Sequence, residues 1–177
     1  MLRKIILIKN KNNLGYPSGI NQGLKIAIQQ ESYYFLITNN DIVFYNKTID
    51  ELMKASRNSN YGYITAVDKN RNLKYIEKLQ SDWWEGLCNS CFIVKKRIIE
   101  LIGFYDENFG LGGEEDRDFI HRMGINGIES RSYCSALIEH KHGYTQRLVG
   151  SNSQDKLRIN REYVERKHNI KLGWKFD

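Results

Sequence analysis

The sequence predicts an α/β fold with a mainly parallel central sheet flanked by helices. Three observations lead there. Short β-branched runs alternate along the chain with segments at helical spacing. The run Tyr33 to Thr38 is apolar without alternation, as expected of a strand covered on both faces. The 177 residues include one proline and no Gly/Ser linker, which suits one domain able to bury its own core.

Leu2 to Lys9 reads as the first strand, β-branched and bounded by the polar residues Asn10 to Asn13. A turn-rich stretch with Gly15, Pro17 and Gly19 leads into a helix over Ile20 to Gln30, which Ser18 is placed to cap. The strand Tyr33 to Thr38 ends abruptly in Asn39, Asn40 and Asp41. Thr48 and Glu51 have capping-box spacing and open a helix through about Arg57. Tyr61 to Val67 is a third strand, and the polar, irregular stretch Asp68 to Gly86 predicts a long loop. Asn89 to Val94 follows as a strand, and Lys95 to Ile102 as a short helix stopped by Gly103. A helix over Glu114 to Met123 closes at Gly124, Tyr133 to Ile138 is the last strand, and Gln154 to Lys167 is a final amphipathic helix. Residues 1–150 are expected to form the main domain, with 151–177 a basic helix packed on it.

The net charge of +6 favours an anionic partner without choosing among nucleic acid, nucleotide phosphates and an anionic membrane surface. Lys156, Arg158, Arg161, Arg166, Lys167, Lys171 and Lys175 outweigh Glu162, Glu165 and Asp177 near the end, a pattern that a solvated helix face also explains. A nucleic-acid-binding protein is suggested only by charge and tyrosines and ranks third among the function readings, so no nucleic-acid partner is expected. No recognition motif is present, and the acidic cluster Glu114 to Asp118 would repel a phosphate backbone. Three cysteines make no disulfide framework, and the apolar run Ile5 to Ile8 is too short for a signal core or a membrane span. A reducing, cytoplasmic setting is expected, with a peripheral membrane contact through the basic helix left open. Cys88 and Cys91, with Cys134 and His140 downstream, have zinc-like spacing, but strand alternation accounts for Cys91 as a core residue.

Four constellations can carry chemistry. Asn39, Asn40 and Asp41 follow a buried-type strand, where open α/β sheets bind ligands; a carboxylate there can hold a hard cation and through it a diphosphate. The same tripeptide is also a common turn. Glu114, Glu115, Asp116 and Asp118 crowd four carboxylates at a helix start, either to complement the helix dipole or to supply a general base. On the first reading Asp118 simply pairs with Arg122 one turn on. Glu139, His140, Lys141 and His142 end the last strand, and an imidazole there can complete a metal site begun by Asp41. Asn13, Gly15, Asn21 and Gly23 suit a backbone that approaches a phosphate, or an ordinary strand-to-helix turn. Trp83 and Trp84 can stack on a sugar ring or anchor their loop to the core.

Taken in order, these segments resemble family 2 of the inverting GT-A glycosyltransferases. NLGYPSGINQGLKIA looks like the family's Asn-x-Gly-aromatic segment, and FLITNNDIVF like the strand ending in its Asp-x-Asp metal motif. GFYDENFGLGGEEDRDFIHR is similar to the acceptor-side signature that ends in Glu-Asp-x-Asp, and IEHKHGYT to the late His segment. The resemblance covers roughly Lys4 to Thr145 and implies a shortened GT-A fold and metal-assisted sugar transfer. On it, Asp41 is the principal ligand of Mn2+ or Mg2+, Asn39 stands where the family's first Asp often stands, and His140 contacts metal or diphosphate, with His142 as second choice. Asp116 is the base, and Glu115 and Asp118 assist in positioning. Asn13, Gly15, Asn21, Asn39, Asn40 and Asp41 face the nucleotide-sugar donor, while Trp83, Trp84 and Glu115 face a carbohydrate or glycan acceptor.

Family members begin with a strand, helix and second strand that hold the nucleotide base, whereas here Met1 leads almost at once into what resembles the third strand. The expectation is a pared-down donor site, a segment supplied by another chain, or a non-catalytic carbohydrate- or nucleotide-binding module. An open sheet edge near Leu2 to Lys9 would invite a second copy or a partner chain.

Overall fold

The computed structural model of the protein describes residues 5–141 and 154–172. In chain order the elements are α1 (Tyr16–Ala27), β1 (Tyr34–Thr38), β2 (Ile42–Phe44), α2 (Thr48–Asn58), β3 (Tyr63–Asp68) and α3 (Lys69–Ile76). After them come β4 (Trp83–Trp84), β5 (Cys91–Lys95), α4 (Lys96–Ile102), a 3-10 turn (Glu107–Phe109), α5 (Glu115–Ile125), β6 (Ser130–His140) and α6 (Gln154–His168).

Helix starts differ from the expected caps. α1 begins at Tyr16, with Pro17 in its first turn, where the missing N–H costs nothing. Ser18 donates its hydroxyl to Glu107 instead of capping the helix. α2 is entered through Lys47 in the left-handed region (φ 69°), and the Thr48 hydroxyl bonds the carbonyls of Tyr45 and Leu137. That bond ties α2 to β6.

The sheet is mixed, not mainly parallel. Its strands run in the order β1-β5-β3-β6-β2, with β4 also on β6. Among the described residues only β3 and β6 pair in parallel; β5 lies antiparallel between β1 and β3, and β2 and β4 pair antiparallel with β6. The stretch expected to be a loop, Asp68 to Gly86, instead contains α3 and β4. The expected first strand is not seen over its described part either: residues 5–9 belong to no strand, and Ile5 and Leu7 are exposed, while Leu2 to Lys4 lie outside the described residues. Among the described residues the edge strand on that side is β1.

Alternate residues of the strands feed two cores. Tyr63, Phe92 and Val94 face one side and meet Leu24 of α1, Ile98 and Ile99 of α4, and Phe119 and Met123 of α5. Ile64, Cys91 and Ile93 face the other and meet Leu52 and Ala55 of α2. Every residue of β3 is buried, Thr65 and Asp68 included. By contrast β1, expected to be covered on both faces, alternates: Phe35 and Ile37 are buried and Leu36 and Thr38 exposed, as suits a strand at the sheet edge. α6 docks onto the first layer through Val164 and through the Asn160 amide, which donates to the carbonyls of Phe109, Gly112 and Gly113. Among the described residues no helix is long and apolar enough to cross a membrane.

Candidate active site

Because β1 and β3 are both antiparallel to β5, and β6 is parallel to β3, the carboxyl ends of β1, β3 and β6 share one edge of the sheet. Asn39, Asp68 and His140 stand there, and a cleft of about 420 Å³ opens among them, the segment before β5, and the start of α5. This is the position at which open α/β sheets hold ligands.

The metal-type residues converge. The Asn39 N–H bonds the Ser90 carbonyl at 2.8 Å, and Lys141 N–H bonds the Asp41 carbonyl at 3.1 Å, which pins the turn to β5 and β6. Asp41 Oδ1 then lies 3.0 Å from His140 Nε2, and the Asn39 amide lies 3.5 Å from the same nitrogen. Asn40 is exposed. His142 lies outside the described residues.

A carboxylate with an imidazole suits Mn2+ and leaves positions for water and phosphate oxygens. The residues therefore fit a cation shared with a ligand. Among the described residues no group of three or more His, Cys, Asp or Glu side chains is arranged to hold a metal by itself, which also removes the zinc reading of Cys88, Cys91, Cys134 and His140. Cys88 contacts the Ser90 hydroxyl instead.

The acidic cluster splits by environment. Glu114 caps α5 from the left-handed region (φ 71°) and pairs with Arg117 at 3.1 Å. Glu115 and Asp116 line the cleft. Asp116 accepts at both oxygens, from the Asn89 amide at 2.6 Å and from the Arg117 N–H at 2.8 Å. Glu115 is 9% exposed, and its Oε2 has no hydrogen-bond partner. Burial, and then the charge of Asp116, raise its carboxyl from 4.5 to about 7.

A raised carboxyl contributes stability that is present below 4.5 and lost as pH rises through 7. Glu115→Gln is therefore expected to become increasingly stabilising from pH 5 to pH 8, by about 3 kcal/mol at the upper end. Denaturant unfolding at the two pH values checks this, and a pH-independent difference would contradict it.

Asp118 belongs elsewhere. It is fully buried, does not line the cleft, and meets Arg122 at 2.9 Å, Lys167 at 2.6 Å and His168 at 2.8 Å. The pairing with Arg122 is thus one part of a larger anchor for α6.

Several expected donor and acceptor residues have other partners. Asn13 accepts from the Gly15 N–H in a tight turn. Gly15 (φ +87°) has no room for a side chain, because a Cβ would lie 1.9 Å from the Gly110 carbonyl oxygen. Its close approach is to the chain's own backbone. That approach carries Tyr16 into the cleft, where burial and then the charges of Glu115 and Asp116 keep the phenol protonated. Asn21 is buried, donating to the Tyr105 carbonyl and Glu107 and accepting from the Tyr105 N–H. Trp83 packs between Tyr61 and Tyr133 with ring centroids at 4.6 and 5.0 Å, so it anchors β4 to the core. Trp84 stacks parallel to Tyr75 at 6.1 Å, outside the residues that line the cleft.

Sequence reasoning did not single out Arg71, Asn89 or Tyr105, all of which line the cleft. Arg71 and Asn89 were hidden because the first lies in α3, which has no buried residue and so no apolar stripe, and the second reads as a strand start.

No protein-family model matches the chain, and no curated protein sequence matches it. Among solved structures it is similar to a mannosyltransferase, PcManGT from Pyrobaculum calidifontis, in complex with GDP-Man and Mn2+. The identity is 12% and the TM-score 0.61, over 90% of this chain and 52% of that one. The chain thus spans about half the length of that neighbour. The likeness shows a glycosyltransferase-like fold and does not single out family 2.

Proposed function

We propose that the chain is a glycosyltransferase that moves a sugar from a nucleoside-diphosphate donor to an acceptor hydroxyl with inversion. The observation that carries this reading is one cleft that brings together the Asn39–His140 end of the sheet, with Asp41 beside it, and the Glu115–Asp116 pair. A leaving-group site and a base on two sides of one cavity are what direct displacement at a sugar carbon requires.

Asp41 and His140 would hold the cation. A bound Mn2+ or Mg2+ supplies charge neutralisation for a departing diphosphate. Asp116 removes the proton of the acceptor hydroxyl. As that oxygen forms its bond to the anomeric carbon, the bond from that carbon to the diphosphate breaks, and the nucleoside diphosphate leaves with the electron pair. Asp116 suits the task because its two fixed hydrogen bonds leave lone pairs free, a carboxylate having about four acceptor sites. Glu115, protonated below about pH 7, can donate from its unpaired Oε2 to a sugar hydroxyl.

A turnover assay with nucleotide sugars tests the reading. Release of nucleoside diphosphate that needs Mn2+ or Mg2+ and yields a product of inverted anomeric configuration supports it. Metal-dependent nucleotide binding without release would favour a binding module over a transferase.

A further inference from the structure

Asp116 is oriented by a chain of contacts that starts deep in the core. Tyr63, on β3, is 1% exposed, and its ring stacks on Phe92 at 4.4 Å and lies 6.2 Å from Phe119. The ring cannot move without disturbing the layer between β3, β5 and α5. Burial raises its phenol well above the ordinary range, so the hydroxyl stays a donor. It donates to Asn89 Oδ1 at 2.8 Å.

The acceptor-only carboxylate of Asp116 decides which end of the Asn89 amide faces it, and the Tyr63 hydroxyl anchors the other end. With Oδ1 on the phenol, Nδ2 points to Asp116 Oδ2 at 2.6 Å. Turning the amide over would set its carbonyl oxygen against a carboxylate and lose the bond to Asp116. The backbone of the segment is held as well, by the Tyr16 hydroxyl on the Asn89 carbonyl at 3.4 Å and by the Asn39 N–H on the Ser90 carbonyl at 2.8 Å. The second contact links the segment to the turn that carries Asp41.

We propose that Asn89, set by the Tyr63 hydroxyl, is a positioning residue that fixes the carboxylate plane of Asp116 in the cleft. The proposal rests on the transferase reading for the role of Asp116 as base, while the contacts themselves do not depend on it. An amide suits this place because it donates without titrating and adds no charge beside Glu115 and Asp116. A hydrogen bond to a charged group is among the stronger ones, so its loss should be visible in the rate.

The test has two readouts. The first is the side-chain amide of Asn89 followed by 15N–1H NMR. Its two Nδ2 protons should be well separated, with one slow to exchange. Asp116→Ala should collapse the separation, and Tyr63→Phe should speed exchange with Asp116 still present. The second is kinetics: Asn89→Ala should lower kcat roughly 10- to 100-fold with donor KM nearly unchanged, and Tyr63→Phe should lower it less. An Asn89 amide indifferent to both Asp116→Ala and Tyr63→Phe overturns the proposal whether or not transfer occurs. So does an unchanged kcat in Asn89→Ala. A protein that shows the amide signature yet turns over no nucleotide sugar contradicts the transferase reading and leaves the orienting contact in place.

Discussion

Asp118→Ala is expected to destabilise the protein by about 3–5 kcal/mol, the cost of breaking a buried ion pair by removing one partner. The carboxylate is fully buried, and three groups converge on it from two helices: the Arg122 guanidinium of α5, and the Lys167 ammonium and His168 imidazole of α6. Arg122 keeps other partners, since its guanidinium also donates to the carbonyls of Ile102 and Phe104. Lys167 keeps Asp106 at 2.7 Å. The loss should therefore fall mainly on the docking of α6, and thermal unfolding should drop by roughly 10 °C for a domain of this size.

The pH dependence has a defined sign. Burial works against the charge on Asp106, but hydrogen bonds from Lys167, the Asn108 N–H and Tyr163 outweigh it and bring the carboxyl down from 3.8 to about 2. Asp118 is likewise lowered: burial opposes its charge, and the bonds from Lys167 and His168 and the charge of Arg122 prevail. A lowered carboxyl contributes stability present above its ordinary range and lost as pH falls through the folded value. The difference between wild type and Asp118→Ala should thus be full at pH 6 and shrink below pH 4. Equal unfolding temperatures at pH 6 would contradict the anchor.

Asp116→Asn is expected to lower kcat for sugar transfer by about 10²- to 10⁴-fold, the usual contribution of a general base. Donor affinity should change little, because the residues proposed to meet the diphosphate lie on the β1 and β6 side of the cleft. Measuring kcat and donor Kd together separates this from the alternative, in which the acidic run only complements the start of α5. On that alternative the substitution alters stability slightly and the rate not at all.

Much of the helix and strand order was legible because β1, β3 and β5 are short, rich in β-branched and aromatic residues and bounded by polar or turn-forming residues. β6, by contrast, runs over Ser130–His140, well beyond its expected Tyr133 to Ile138. Strand direction was not legible. Alternating strands and helices suggested a parallel sheet, yet β5 enters between β1 and β3 from the opposite end, and the short strands β2 and β4 fold back on β6. α3 was missed for want of buried residues, and β4 because two residues give no period. Ile5 to Ile8 has strand-like composition, but composition does not supply a neighbour to pair with.

Of the residues singled out for the candidate site, Asn39, Glu115, Asp116 and His140 line one cleft, with Asp41 in contact with His140. Asn21 and Gly15 have residue types that suit phosphate approach, but the partners the fold gives them are the Tyr105–Glu107 turn and the Gly110 backbone, neither of which the sequence spacing shows. Asp118 was half legible: its helical neighbour Arg122 is four residues away, while Lys167 and His168 arrive only when α6 docks. Asn89 left no trace, because its role depends on a phenol 26 residues earlier in the chain.

The central claim is a metal-assisted diphosphate site at Asp41 and His140 within a transferase cleft. The most direct measurement is calorimetric titration of UDP, GDP, CDP and dTDP into wild type and Asp41→Ala, with and without Mn2+. The account predicts that at least one nucleotide binds wild type only when Mn2+ is present, and that Asp41→Ala loses that binding. Binding of equal strength without metal, or binding that survives Asp41→Ala, would contradict it.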